Sequence, residues 1–167
     1  MEKWDLFDRE RRPLGRTQER GQPLEPGCYH LVVAVCVVDG RGHMLLTLRD
    51  KAKPVYPNCW ENTGGAVLAG ETSLEGALRE LREETGAVPD ILMPLGVILP
   101  SPGCYGEHLH LFLARELKMG QQQPDEEEFL RLERIPFQEM VHRIMNGEIE
   151  DAKTVAAVLK AKVLLDL

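Results

Sequence analysis

Glu80, Glu83 and Glu84 stand at positions i, i+3 and i+4, with Arg79 directly before them and Glu71 further back. On a helix turning about 100° per residue, these three carboxylates share one side. Like charges so placed destabilise an isolated helix by about a few tenths of a kcal/mol. They become favourable once a hard cation sits among their oxygens. Mg²⁺ and Mn²⁺ are such cations, and Mg²⁺ completes its shell with waters and substrate phosphates. An ion held there neutralises a diphosphate, polarises its phosphorus and lowers the pKa of an attacking water. A spare carboxylate can then take the proton. Arg79 can pair with one of the acids and fix its orientation. A charge run alone is more often a solvated helix face, so its surroundings decide.

Those surroundings form a fixed skeleton. From Gly65 to Ala87 the chain reads GAVLAGETSLEGALRELREETGA: a glycine, five residues, a glutamate, seven residues, then Arg-Glu-Leu-Arg-Glu-Glu-Thr-Gly. The segment resembles the Nudix box at each fixed position, namely Gly65, Glu71, Arg79, Glu80, Glu83, Glu84 and Gly86, with Ala87 a weak occupant of the last apolar slot. The resemblance implies an α/β fold of the Nudix type, an α/β/α sandwich with a mixed β-sheet. It also implies Mg²⁺- or Mn²⁺-dependent hydrolysis of a nucleoside diphosphate linked to another moiety. By the same resemblance Glu80, Glu83 and Glu84 are metal ligands, the catalytic base is one of these glutamates, and Arg79 orients them. Glu71 and the two glycines shape the loop-helix-loop. Glu83 and Glu80, with Arg79, are the residues expected to carry catalysis.

The flanks narrow the branch. WDLFDRERRPLGR, YHLVVAVCVVDGRGHMLLTLRD and CWENTGG resemble Nudix proteins related to isopentenyl diphosphate isomerase. The isomerases of that branch need a cysteine soon after the Trp-x-Asn element, and a histidine beside it. Here Trp60-Glu61-Asn62 runs into Thr63-Gly64-Gly65-Ala66, and Cys59 lies on the wrong side. Protonation of an alkene thereby loses its acid, which favours a hydrolase over the isomerase alternative. A second alternative is a catalytically quiet nucleotide-binding module, against which the intact glutamate set argues. The stretch NGEIEDAKTVAAVL is similar to the tail of nucleoside diphosphate sugar hydrolases, although a packing helix is the plainer reading.

Several further residues are candidates for substrate contact. Arg49 ends a strand near the expected cleft, where it meets a phosphate or a surface acid. Gly64 and Gly65 open the box. Trp60 stands where it could stack on a base, with a core aromatic the stronger reading. Glu107, His108 and His110 begin a strand after a Gly-containing loop, and alternation puts the two histidines on one face. Asp125–Glu128 is an acidic run expected in a solvated loop.

The elements that must position these groups follow from pattern. Residues 1–27, polar and rich in Arg, Pro and Gly, read as an N-terminal arm of irregular structure, ahead of a domain over 28–167. Cys28–Val38 is β-branched and apolar, hence a central strand, and Asp39-Gly40-Arg41-Gly42 turns it back into His43–Arg49. Cys59–Thr63 is expected as a short strand. Ser73–Thr85 is the helix of the box, with Thr72 and Glu75 fitting a capping box and Gly86 a left-handed stop. Its core side should carry Leu74, Ala77, Leu78, Leu81 and Thr85, with Gly76 on the acidic side. Ile91–Leu99, His108–Ala114 and Phe129–Leu132 are expected strands. Helices should begin at Pro136 and after a cap at Asp151, the latter showing Val155, Val158, Leu159 and Lys162 at helical spacing.

Composition limits the function classes. The chain has 167 residues, 43% hydrophobic and 28% charged, the balance of one globular domain. A net charge of −7 argues against backbone binding to nucleic acid, which needs a basic face, but not against one small phosphorylated ligand neutralised by a metal. The partner expected is a small-molecule nucleotide or other diphosphate substrate. The longest purely apolar run, Leu31–Val38, is eight residues and cannot span a bilayer. The first residues, MEKWDLFDRERR, show no export signal, and Cys28, Cys36, Cys59 and Cys104 are scattered, which together suggest a reduced, cytoplasmic setting. A homodimer is compatible with the sequence.

Overall fold

The structure, a computed structural model, describes residues 2–53, 55–101, 104, 106–123 and 131–166. The apolar run expected to be central is β3 (His30–Val38). Its alternate side chains divide two cores: Leu31, Val33, Val35 and Val37 face one side, and Ala34, Cys36 and Val38 the other. A strand buried on both faces reads as continuously apolar for this reason. Cys36 is fully enclosed, and burial pushes its thiol up to about 12.

Around β3 a seven-stranded sheet assembles among the described residues. Its path runs β5 (Trp60–Glu61), β4 (His43–Leu48), β3, β8 (Glu107–Met119) and β7 (Ala87–Ile98); β6 (Thr63–Ala66) also pairs with β3, and β9 (Arg131–Pro136) with β4. The β3–β8 pair is parallel, with His30 opposite Glu107 and Val37 opposite Ala114, while the other pairs are antiparallel. The sheet is therefore mixed. At the Asp39 turn, Gly42 takes a positive φ, while Asp39 accepts from the Arg41 and His43 amides at 2.9 Å each. β7 pairs only with β8 on this path, which lets it carry Pro89 and Pro94.

Helices cover both faces. α1 (Ser73–Thr85) packs Ala77 and Leu81 on the Val33 side, while α2 (Phe137–Met145) and α3 (Ala152–Leu165) close the opposite side. This is the expected α/β/α sandwich. One helix face differs from the sequence pattern. Leu74 and Leu78 stand on the edge of the α1 stripe, 45% and 39% exposed. α3 buries Thr154, Ala157, Val158 and Ala161 most deeply, with Val155 and Leu159 packed part-buried beside them, and its small side chains let it lie close on β3 and β8.

The N-terminal segment is corrected outright. It is no irregular arm but a hairpin of β1 (Lys3–Phe7) and β2 (Pro13–Glu19). Trp4 and Leu6 are buried with Cys28, and the Trp4 ring stacks on His30 at 4.4 Å. The hairpin also grips the loop before α1: the Lys3 carbonyl accepts from Ala69 N–H and the Asp5 carboxylate from Gly70 N–H, both at 2.8 Å. Residues 124–130 lie outside the described set, so the acidic run Asp125–Glu128 and the start of the Phe129 strand are not placed. β9 itself begins at Arg131.

Candidate active site

The start of α1 is built by its own residues. Thr72 accepts from the Glu75 amide and Glu75 reaches back to the Thr72 amide, a complete capping box. Glu71 folds back on the loop, accepting from Leu68 N–H at 2.9 Å. The same carboxylate takes Arg79 through two bonds, Nε at 2.9 Å and Nη2 at 3.2 Å. Arg79 Nη2 also donates to the Ala66 carbonyl at 2.9 Å, tying helix to strand β6. Its Nη1 reaches Glu80 at 2.9 Å and Glu83 at 3.1 Å. Burial opposes the guanidinium charge, but the bonds to Glu71 and the charge of Glu80 outweigh it, so its pKa is raised. One arginine thus holds three acids of the skeleton in register.

Glu84 is held differently. It is buried, and its carboxylate accepts from the Thr63 hydroxyl and from Gly64 N–H, the latter at 3.2 Å. The two glycines make room for this. A Cβ on Gly64 would stand 2.1 Å from the Val33 carbonyl oxygen, and one on Gly65 would stand 2.4 Å from Glu80 Oε1. Side chains there would drive β6 off β3 and push Glu80 away from the sheet. Gly76 packs on Val67 instead of opening the acidic side, its added Cβ meeting Val67 Cγ2 at 3.1 Å.

Glu80, Glu83 and Glu84 present only hard oxygens, the donor chemistry of Mg²⁺ or Mn²⁺, and Gly65 lets Glu80 lie against the sheet. They do not form a closed cage. Among the described residues no three His, Cys, Asp or Glu side chains close round one point. An open set of this kind suits an ion that keeps waters and takes phosphate oxygens from substrate.

The carboxylate helix forms one wall of a cleft of about 580 Å³. Gly64, Gly65, Arg79, Glu80, Glu83 and Glu84 line it together with Arg49 and Glu107 from the sheet. The cleft thus gathers nearly all the residues singled out in the sequence. Trp60, His108 and His110 do not line it, and Trp60 packs against the core instead. His108 and His110 alternate with the cleft-lining Glu107 and Leu109, so they share the opposite face with Phe112, beside Asp8 and Arg11 of the hairpin turn. His108 is tilted against Tyr29 at 4.9 Å, and burial with the Arg11 charge pushes His110 down to about 4.

On the opposite wall, Glu61 and Lys153 were not visible in the sequence as site residues. Arg49 Nη1 donates to Glu61 Oε1 at 3.0 Å, and Lys153 donates to the other oxygen of Glu61 and to Asp151 at 2.9 Å. Asp151 caps α3 by accepting from Thr154 N–H at 3.0 Å, and the Thr154 hydroxyl accepts from buried Asn62 N–H at 2.7 Å. Burial opposes the Lys153 charge, yet Glu61 and Asp151 raise its pKa. Burial raises the Glu107 carboxyl, with Lys153 opposing. The available signals were slight: a glutamate between Trp60 and Asn62, and a lysine in the Asp-Ala-Lys-Thr step that opens α3. Lys53, Glu2 and Arg20 also reach the cleft.

Residues 29–158 match the family model of the NUDIX domain. The chain belongs to the Nudix family. Among its relatives is an uncharacterised Nudix hydrolase of Listeria monocytogenes, 42% identical over 92 residues, covering 54% of each chain. The matched stretch therefore spans about half the length of that relative. An ADP-ribose pyrophosphatase of Bacillus subtilis is 31% identical over 148 residues, 87% of this chain and 77% of the relative. A solved structure described as an ADP compounds hydrolase superposes with a TM-score of 0.72 at 23% identity, over 97% of this chain and 83% of that one. The last likeness is one of fold. No helix among the described residues is long and apolar enough to cross a membrane.

Proposed function

We propose that this Nudix chain hydrolyses the diphosphate linkage of a nucleoside diphosphate derivative, with Mg²⁺ or Mn²⁺ held by Glu80, Glu83 and Glu84. The observation that carries the reading is the single cleft with these carboxylates on one wall and the cations Arg49, Lys53 and Lys153 among its other lining residues. The bound ion would supply charge neutralisation for the diphosphate and a water of lowered pKa. The protein's own groups do the positioning. Arg79 Nη1 bridges Glu80 and Glu83, and Thr63 with Gly64 fixes Glu84. Glu83 is the most exposed of the three, 34% for its side chain, and is the group we assign to take a proton from water. Arg49, Gly64, Gly65 and Glu107, which line the cleft, are the groups assigned to substrate contact. The name of the Bacillus relative, an ADP-ribose pyrophosphatase, denotes hydrolysis of the same class of bond.

The isomerase alternative lacks its acid. The segment after Asn62 is the glycine strand β6, and Cys59 Sγ points to the Trp60 carbonyl with its thiol pushed up by burial and by Asp151 and Glu61. The test is turnover of a panel of nucleoside diphosphate derivatives with Mg²⁺, read as phosphate-bond cleavage. Glu83→Gln and Glu84→Gln should each reduce kcat by about a hundredfold or more while circular dichroism stays unchanged. Fully active variants would place the metal elsewhere, and conversion of a prenyl diphosphate to its double-bond isomer would overturn the hydrolase reading.

A further inference from the structure

Glu107 also borders a second pocket, of about 400 Å³, whose lining includes Cys28 and Cys104. Both are free thiols, Cys28 buried beside Trp4 and Leu6, Cys104 exposed. Backbone contact brings their segments together. His30 N–H donates to the Gly106 carbonyl at 3.2 Å, and a Cβ on Gly106 would stand only 2.9 Å from the Cys28 carbonyl oxygen. Cys104 lies two positions before Gly106. Two residues span about 7 Å at most. That is the order of the Cα separation across a disulfide, about 4.4–6.8 Å.

Cys28 has a cation at its sulfur. Arg16 Nη2 donates to Cys28 Sγ at 3.0 Å and to Glu25 at 2.8 Å. The Arg16–Glu25 pair is open to water, with side-chain exposures of 50% and 64%, and is screened accordingly. The sulfur is enclosed, so the guanidinium acts on it with less screening. Negative charge that gathers on Cys28 as it attacks is met by this donor. Besides Tyr29 and the two thiols, the ionisable groups lining the pocket are Glu25, His30 and Glu107. Burial disfavours the charged forms of His30 and Glu107, so neither cancels Arg16.

We propose that Cys28 and Cys104 are an Arg16-assisted, peroxide-responsive pair that closes to a disulfide at the edge of the cleft. Exposed Cys104 reacts first, as its thiolate. Its sulfur bonds to one peroxide oxygen, the O–O bond breaks, and the departing hydroxide takes the proton released by the thiol to become water. Cys104 is then a sulfenic acid. The Cys28 sulfur attacks the Cys104 sulfur, the S–O bond breaks, and the second hydroxide leaves as water with the Cys28 proton. Two thiols are oxidised, and one peroxide is reduced to two waters. Pro100 and Glu107, four positions before and three after Cys104, both line the catalytic cleft. Drawing exposed Cys104 onto buried Cys28 pulls on both, and KM rises. This last effect rests on the reading of the cleft as the diphosphate site; the bond does not.

The test treats the full chain with hydrogen peroxide, blocks the remaining thiols with iodoacetamide and maps unreduced peptides by mass spectrometry. A Cys28–Cys104 cross-linked peptide should appear, and dithiothreitol should abolish it. Arg16→Gln keeps both cysteines and should slow closure about tenfold. For a nucleoside diphosphate derivative that the chain cleaves, oxidation should raise KM about threefold or more, reversibly, while Cys104→Ser keeps the reduced protein's KM under peroxide. The pair is overturned if Cys104 ends only as a sulfinic acid, joins Cys59 or a second copy, or closes as fast in Arg16→Gln. It is overturned as a switch if the bond forms and KM stays within about twofold. If no compound is cleaved, the hydrolase reading falls instead, and the peptide map with the Arg16→Gln rate decides the pair.

Discussion

Arg79 is the residue on which most of the acidic wall depends. Its five N–H donors meet Glu71, Glu80, Glu83 and the Ala66 carbonyl, a set a lysine ammonium cannot reproduce. Arg79→Lys should therefore weaken Mn²⁺ affinity and kcat by about 10–100-fold, with Mn²⁺ titration by electron paramagnetic resonance as the check. An unchanged affinity would mean that the carboxylates hold their places without it. Arg79, Glu80 and Glu83 could be read in the sequence because they lie on one helix, where spacing fixes which side chains meet, whereas Glu71 precedes the helix and came from the resemblance. Glu61 and Lys153 could not, since their meeting depends on loops and strand pairing between positions far apart in the chain.

At the scale of elements, α3 is docked through one threonine. Its hydroxyl accepts from the Asn62 amide and donates to Asp151, and all its surface is buried. Thr154→Val keeps the shape and removes both bonds, which leaves a buried N–H without a partner. We expect a loss of about 1–3 kcal/mol in urea unfolding, and a weaker wall around Lys153. The α1 helix was legible to the residue, from Thr72 to Gly86, because caps and periodicity agree there. The β1–β2 hairpin was hidden because β2, Pro13–Glu19, is almost wholly polar and mostly exposed, so it carries no alternation to read. On α3 the spacing of Val155, Val158 and Leu159 marked the core side, while the closest contact falls to the small Thr154, Ala157 and Ala161, which spacing of large apolar residues does not single out.

At the scale of the whole molecule, the hairpin and the sheet enclose a set of histidines. His110 is lowered to about 4 by burial, by Arg11 and by His108; His30 and His108 are lowered too, chiefly by burial, with Asp8 opposing at His108. A folded-state pKa below the model-compound value of 6.5 means that the unfolded chain binds more protons in the window between. Stability is then full above about pH 6.5 and falls as the pH drops toward 4. Thermal melts at pH 7 and pH 5 should show a lower Tm at pH 5, and His110→Leu should flatten the difference. A flat profile in the unchanged protein would show that these rings are already solvated.

Cys36, at the centre of β3, adds a built-in clock. Its thiol lies where no alkylating reagent can reach and where the thiolate is suppressed, so modification requires the two helical layers to part. Exposed Cys104 should react within the reagent's own half-time, as an internal standard in the same sample. Mass spectrometry of iodoacetamide labelling then yields two rates, and the slow one counts whole-molecule openings. Urea at increasing concentration should accelerate the Cys36 rate steeply while hardly altering that of Cys104. Fast labelling of Cys36 in the absence of urea would mean that the sandwich breathes far more than its packing suggests.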